Sequence, residues 1–334
     1  MIKIMKLLIT GNAGYLGKNL LKESLKRGYE VIGIDIKSAK ITDQNYIERI
    51  CDITHSKKIH DIIVTEKPDV VVHCAGALAQ FVSDKNLLHK INVKGTENVL
   101  QASYEANVKK FIFISSVEVY GIDIECPCPE STPLNPIVQY GKDKVESEEK
   151  CKEFMAKGMN ITIFRPPTIT GPGQNEPTLI AQIKNAYLGK KAFLPGGGHT
   201  KLHMVNVFDV CEAIFLAIDK PESQGAILNL GSDNIPTLRE MLIGLYKYAG
   251  KKPKFLSLSA GLLRFIVHIL SFLRISPIKP QHLEIALKDY TFDNSLAKKI
   301  LGWYPTKNDI ESACATYDWY VKSQLNKSNR RNNK

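Results

Sequence analysis

Two patterns alternate along the first half of the chain. Short apolar runs rich in β-branched residues, "KIMKLLIT", "EVIGIDI", "DVVVHCAG", "VKKFIFIS" and "NITIFRPPTI", are separated by stretches with helical spacing of apolar residues. These are "GYLGKNLLKESLKRG", "SKKIHDIIVTEK", "LLHKINVKGTENVLQASYEA" and "YGKDKVESEEKCKEFMAKG". Strands that run apolar without a polar alternate are buried on both faces, which implies a parallel sheet covered by helices. Right-handed β-α-β crossovers then predict a doubly wound α/β sheet of the Rossmann type.

The regularity fades near residue 170. "GPGQ" and "LPGGGHT" punctuate the chain, and mixed patterns follow. The expected division is a nucleotide-binding domain over 1–170, with a segment about 203–231 returning to it. A smaller C-terminal substrate-binding lobe is expected mainly from 171–202 and 232–325. The polar, basic stretch 326–334, "NKSNRRNNK", is expected to be a disordered tail.

One passage is more apolar than the rest. In "GLLRFIVHILSFLRI", 261–275, Leu262, Phe265, Ile266, Ile269, Leu270 and Leu273 recur at helical spacing, with Arg264, His268 and Ser271 opposite. The segment is too short and too charged to span a bilayer. It reads as an amphipathic helix packed on the substrate lobe, with contact to a membrane surface as the alternative.

Composition changes this picture little. The 334 residues are 44% hydrophobic and 24% charged, as in a globular protein with a real core. Four of the positive charges behind the net +11 lie in the tail. The others read as thinly spread, without interleaved aromatics, so no nucleic-acid partner is expected. Seven scattered cysteines give neither a disulfide framework nor metal-ligand spacing, and no metal is expected. The N-terminus reads as a first strand rather than a signal peptide, which makes a cytoplasmic location the expectation.

The candidate chemistry starts at the first strand. Gly11-Asn12-Ala13-Gly14-Tyr15-Leu16-Gly17 is a GxxGxxG loop leading into a helix. Glycines allow the tight turn and close approach, and the helix N-terminus offers free N–H groups to a pyrophosphate. Asp35-Ile36 ends the second strand, 18 residues after Gly17. A carboxylate there accepts from a ribose diol and repels an added phosphate, which favours NAD over NADP. Asp52-Ile53 is expected beside the adenine. The small run Cys74-Ala75-Gly76-Ala77 is expected to pass close to the cofactor. Tyr140 and Lys144 form YxxxK, at i,i+4 on one helix face. An ammonium beside a phenol favours the phenolate, which can exchange a proton with a hydroxyl during hydride transfer.

With "ISSVEVYG" 24 residues before the tyrosine, the chain resembles the extended short-chain dehydrogenase/reductases of the NAD-dependent epimerase/dehydratase family. The resemblance rests on "TGNAGYLG", "GIDI", "CDIT", "HCAGAL", "NVKGTENVL", "ISSVEVYG", "YGKDK", "RPPTITGPG", "MVNVFDV" and "FDNSLAKKILGWYP", and covers roughly the whole chain. It implies that Ser116 hydrogen-bonds the reacting oxygen, that Tyr140 is the acid/base, and that Lys144 holds the nicotinamide ribose. It implies a mainly structural role for Asn92 and backbone contact with the nicotinamide amide near Pro167. A homodimer is also implied, through the helix of Tyr140 and the one around 92–106.

The resemblance narrows the reaction. Dehydratases of the family carry Asp-Glu after the serine or threonine, whereas Val117 and Glu118 stand here. Valine moves no proton, so epimerisation or net dehydrogenation is expected, with a nucleotide-linked sugar as the small-molecule substrate. Glu118, Lys201 and His203 are the candidate substrate contacts beside Val117. A lipophilic alcohol, as in 3β-hydroxysteroid dehydrogenases, is the alternative substrate. A non-catalytic NAD-binding regulator is the alternative from another class, and the intact Ser116, Tyr140 and Lys144 argue against it.

Overall fold

The computed structural model describes residues 5–78, 81–273 and 280–332. The nucleotide half is laid out as expected. β1 (Lys6–Thr10), α1 (Tyr15–Lys26), β2 (Glu30–Asp35), β3 (Tyr46–Ile50), α2 (Ser56–Glu66) and β4 (Val70–His73) come first. There follow α3 (Lys85–His89), α4 (Gly95–Glu105), β5 (Lys110–Ile114), α5 (Gln139–Ala156) and β6 (Ile161–Arg165). The second half holds β7 (Thr168–Thr170), α6 (Pro177–Leu188), β8 (Ala192–Pro195), β9 (Met204–Asn206), α7 (Val207–Asp219) and β10 (Ile227–Asn229). It ends with α8 (Leu238–Tyr248), β11 (Phe255–Leu258), α9 (Ala260–Phe272), α10 (Pro280–Ala286), α11 (Ser295–Leu301) and α12 (Asp309–Asn332).

Seven parallel strands form one sheet in the order β10-β6-β5-β4-β1-β2-β3. The order reverses between β1 and β4, and the crevice at the carboxyl ends of these strands is where such sheets bind ligands. Alternate residues of β1 feed two core layers. Leu7 and Ile9 pack with Leu20 and Leu21 of α1 and Val210 and Ile214 of α7. Leu8 packs with Ile59 and Ile63 of α2, Val99 and Leu100 of α4, and Phe154 of α5. Each such fully buried aliphatic side chain contributes roughly 1.5–3 kcal/mol.

β10, from the 203–231 segment, joins the main sheet. Two short sheets, β8 with β11 and β7 with β9, build the lobe with α6 and α8. Three expectations change. Residues 295–303 belong to the nucleotide-side core, where Ala297, Leu301 and Trp303 are buried against α7 and β10, and the Trp303 indole donates to the Asp209 carbonyl at 2.8 Å. α12 continues to Asn332, through most of the expected tail. Extending a helix already packed on α6 and α8 avoids the cost of nucleation. The third change concerns α9, which buries only Leu263 and Val267; Leu262, Phe265 and Ile269 face outward. Residues 274 and 275 of the expected helix lie outside the described residues.

Candidate active site

The loop after β1 is held by its own backbone. Gly11 has φ 73°, and a Cβ there would stand 2.8 Å from the Ala75 backbone. At Gly17 a Cβ would stand 2.2 Å from the Gly11 carbonyl oxygen. The loop and the start of α1 therefore lie against the end of β4, where Cys74, Ala75, Gly76 and Ala77 pass. Ala13 donates its N–H to Asp35 Oδ2 at 3.1 Å, and Lys37 donates to Oδ1 at 3.1 Å. Asp35 is thus fixed at the mouth of the loop, while Ile36 is exposed. Leu16 is buried in the core, and the Tyr15 hydroxyl is buried without a hydrogen-bond partner among the described residues.

Asn12 is buried and donates to the Tyr46 hydroxyl at 2.6 Å, which in turn donates to Glu48 at 3.0 Å. Its Oδ1 has no partner among the described residues. Tyr46 and Glu48 were not legible as site residues, since nothing in "YIERI" separates them from an ordinary edge strand. Asp52 accepts from Thr54 N–H at 2.8 Å. Ile53 is buried against Gly95, where a Cβ would come within 2.5 Å of Ile53 Cδ1.

Asn92 lies in a π-helical turn, Lys90–Lys94, between α3 and α4. Its side chain clamps Ala77, accepting from the N–H at 2.7 Å and donating to the carbonyl at 3.1 Å. It also donates to Asp143 of α5 at 3.2 Å. Asp143 further accepts from Gln139 at 2.8 Å. Asn92 therefore ties the end of β4 to the helix of Tyr140 and Lys144. His73, overlooked in the sequence, is buried with its ring nitrogens 2.6 Å from the Thr10 hydroxyl and 2.9 Å from the Thr96 hydroxyl. Burial holds it neutral, with its pKa lowered to about 3.

Ser116 caps the 3₁₀ turn Val117–Val119, its Oγ accepting from Glu118 N–H at 3.2 Å. Ser115 points away and donates to Glu148 of α5 at 2.5 Å. α5 approaches this turn at Gly141, where a Cβ would sit 2.5 Å from the Glu118 carbonyl oxygen. Lys144 donates to the Ile114 carbonyl at 2.6 Å, and its Nζ lies 5.7 Å from the Tyr140 ring centre. Gly76 is beside it, a Cβ there standing 3.8 Å from Nζ.

The electrostatics differ from the expectation for Tyr140. Burial raises the pKa of its phenol, and the negative charges of Glu118 and Asp143 push in the same direction. Burial lowers Lys144 to about 8 and raises Glu118 to about 7. Burial, Glu118 and Asp143 thus favour the protonated form of the Tyr140 phenol in the protein alone.

Val117 is buried and donates its N–H to the Pro166 carbonyl at 3.2 Å, next to the buried Pro167. The remaining substrate candidates separate. His203 accepts from Phe292 N–H at 3.1 Å, has its other ring nitrogen 2.8 Å from the Ser232 carbonyl, and stacks on Phe292. With both nitrogens engaged and 4% exposure it is a packed core residue and has no free nitrogen for a substrate. Lys201 is exposed, pairs through its backbone with Asp289 and Thr237, and directs its charge at Glu240. Among the described residues no hydrogen bond or ion pair joins it to Ser116 or Tyr140. Among the described residues there is no cluster fit to hold a metal, and no helix is long and apolar enough to cross a membrane.

Comparison with known proteins gives this geometry a context. The UDP-glucose 4-epimerase of Vibrio cholerae is 30% identical over 263 residues, which cover 74% of this chain and 78% of that protein. The uncharacterized protein y4nG of Sinorhizobium fredii is 28% identical over 316 residues, 94% of this chain and 78% of that protein. The fold matches the structure of a Thermotoga maritima UDP-glucose 4-epimerase with UDP-glucose at TM-score 0.80, with 24% identity, covering 96% of this chain and 100% of that one. It also matches the Bacillus cereus UDP-glucuronic acid 4-epimerase in complex with NAD at TM-score 0.78 and 23% identity, covering 95% and 99%. The profile of one family spans residues 7–231, from the first strand to the end of the main sheet, and the chain belongs to that NAD dependent epimerase/dehydratase family.

Proposed function

We propose that the chain is a nucleotide-sugar epimerase that oxidises a secondary alcohol carbon and reduces it again from the other face. The observation that carries this reading is the convergence of Ser116, Tyr140 and Lys144 through the close contact of Gly141 with the Glu118 carbonyl. The similarity to the Vibrio cholerae epimerase supports the substrate class.

The residues present fit NAD. Asp35 faces the glycine loop as an acceptor for a ribose diol, and the α1 N-terminus offers N–H groups to the pyrophosphate. Gly76 and Lys144, which lie together, and Pro167 would hold the nicotinamide end. Bound there, NAD supplies a hydride acceptor and a positive charge beside Tyr140. That charge opposes the push of burial, Glu118 and Asp143 on the phenol. Ser116 orients the reacting hydroxyl, and Tyr140 takes and returns its proton. Glu118, with its carboxyl side chain beside Tyr140, contacts substrate hydroxyls. Val117 leaves elimination of water without an acid.

The same reading divides the chain into a nucleotide domain and a capping lobe, and includes a homodimer through α4 and α5. Tyr104, 40% exposed on α4, supports a contact surface there. The test is incubation with NAD and a panel of UDP-sugars, GDP-sugars and hydroxysteroids. Isomer formation without net cofactor reduction is expected from a UDP- or GDP-sugar. Net reduction of NAD with a hydroxysteroid, and no sugar turnover, overturns the proposal.

A further inference from the structure

The excess positive charge of this chain is not spread over it. Between Pro177 and Phe208, and again between Met241 and Leu283, the sequence holds no Asp or Glu. These segments carry four and seven Lys or Arg residues. Eleven of the 45 basic residues thus fall here, which leaves 34 against 34 acidic residues in the rest of the chain. The whole net charge of +11 is accounted for by two segments, and apart from Arg274 and Lys279, which lie outside the described residues, these segments fold together. β8 pairs with β11 in parallel, α6 packs on α8, and α9 packs on α10.

Within this lobe five lysines gather at one end of the small sheet. Lys190 and Lys191 precede β8, and Lys251, Lys252 and Lys254 precede β11, whose first residue pairs with the first of β8. All five are exposed, and none is paired with a carboxylate among the described residues. The chain then runs through β11, where Leu256 is 51% exposed, into α9. At no more than about 3.6 Å per residue, Lys254 is within roughly 18 Å of the α9 cap, Ser259.

α9 presents three arcs. At about 100° per residue, Leu263 and Val267 form the arc buried with Leu283. Arg264 and His268 form a polar arc, with Arg264 paired to Glu284 at 2.8 Å. The third arc is apolar and open: Leu262, Phe265, Ile269, Phe272 and Leu273, with Phe265 63% and Phe272 83% exposed. Among the described residues nothing covers this arc, and a contiguous exposed apolar patch of this kind marks an interaction surface.

We propose that this lobe docks on the surface of an anionic lipid bilayer, α9 lying in the interface with its open apolar arc inserted and the lysine cluster on the headgroups. Apolar burial and headgroup attraction are the two components of interfacial binding, and this lobe carries groups suited to both. A nucleic acid matches the lysines and leaves Phe265 and Phe272 in water. A second copy of the chain sets like-charged lobes against each other in an isologous contact.

The test is co-sedimentation of the full chain with phosphatidylcholine vesicles containing about 30% phosphatidylglycerol, and with phosphatidylcholine alone. Binding to the anionic vesicles is expected, weakening as salt rises. F265S/F272S, whose sites are exposed, is expected to keep its thermal midpoint and lose binding by more than about tenfold. K191Q/K252Q is expected to lose about fivefold for each lysine. No sedimentation with anionic vesicles overturns the proposal, as does binding unchanged in F265S/F272S. A concentration-dependent oligomer that F265S/F272S dissolves, without vesicle binding by the parent chain, assigns the face to self-association instead.

Discussion

Glu148 and Arg165 form a two-point ion pair inside the protein, with Arg165 Nε 2.9 Å from Oε1 and Nη2 2.5 Å from Oε2. The arginine also donates to the Tyr120 hydroxyl at 2.8 Å, and Tyr120 donates to Asn229 at 2.7 Å. With Ser115 on the same carboxylate, the pair fastens α5 to the ends of β5, β6 and β10.

Removing one partner leaves the other charge buried and alone. Glu148→Ala is expected to cost about 3–5 kcal/mol in urea unfolding. Glu148 is one turn beyond Lys144 on α5, so the surviving folded fraction is also expected to lose turnover. A variant as stable as the parent contradicts this account of the pair.

Tyr140→Phe removes the proton carrier and leaves the ring. Turnover is expected to fall by about 10²–10⁴-fold while NAD still binds, measured by turnover assay and cofactor titration. Lys144→Ala is expected to weaken both. Wild-type turnover in Tyr140→Phe removes the acid/base assignment.

Asp35 governs cofactor choice. It accepts from Ala13 and Lys37 through its two oxygens, and a 2′-phosphate beside it meets like charge. Tighter binding of NAD than of NADP is expected, and Asp35→Ser is expected to narrow that preference. Calorimetry showing NADP as the tighter ligand of the parent refutes the reading.

Much of this was legible before the structure. The alternation of apolar runs and helical periods fixes the parallel sheet, because only strands buried on both faces lack polar alternates. The glycine loop and Tyr140-Lys144 are local patterns, so spacing reveals them. Glu148 with Arg165, and Asn12 with Tyr46, are pairs distant in sequence that only the tertiary fold joins. The same limit applies to α9. Its periodicity shows an apolar stripe wider than one contact face, and periodicity alone does not say which arc meets the core. For His203, spacing marked a polar group near the site, while packing against Phe292 and Gly231 decided its role.

Glu118 links stability to pH. Burial raises its carboxyl from 4.5 to about 7. A carboxyl with a raised folded-state pKa is harder to ionise in the folded chain than in the unfolded one. It has no effect on stability below about 4.5, and destabilises progressively as pH rises through about 7. Glu118→Gln is expected to gain stability relative to the parent at pH 8 and not at pH 4, by urea unfolding at both. A gain of equal size at both values rules out titration as the cause.

Gly141 sits in the first turn of α5, and in a helix glycine costs up to about 1 kcal/mol relative to alanine. On propensity alone, Gly141→Ala stabilises the helix. The structure reverses that expectation, because the added Cβ meets the Glu118 carbonyl oxygen at 2.5 Å and Pro136 Cβ at 3.0 Å. Backbone and a ring cannot yield as a flexible side chain does, so α5 has to move off the turn that holds Ser116. Tyr140, the preceding residue, moves with it, and a displacement of about 1 Å at a reacting centre costs on the order of 10²-fold. Gly141→Ala is therefore expected to lower kcat strongly while the glycine loop still binds NAD. Cofactor titration and turnover on the same preparation check it, and full turnover with unchanged or increased stability shows that the contact relaxes without moving Tyr140.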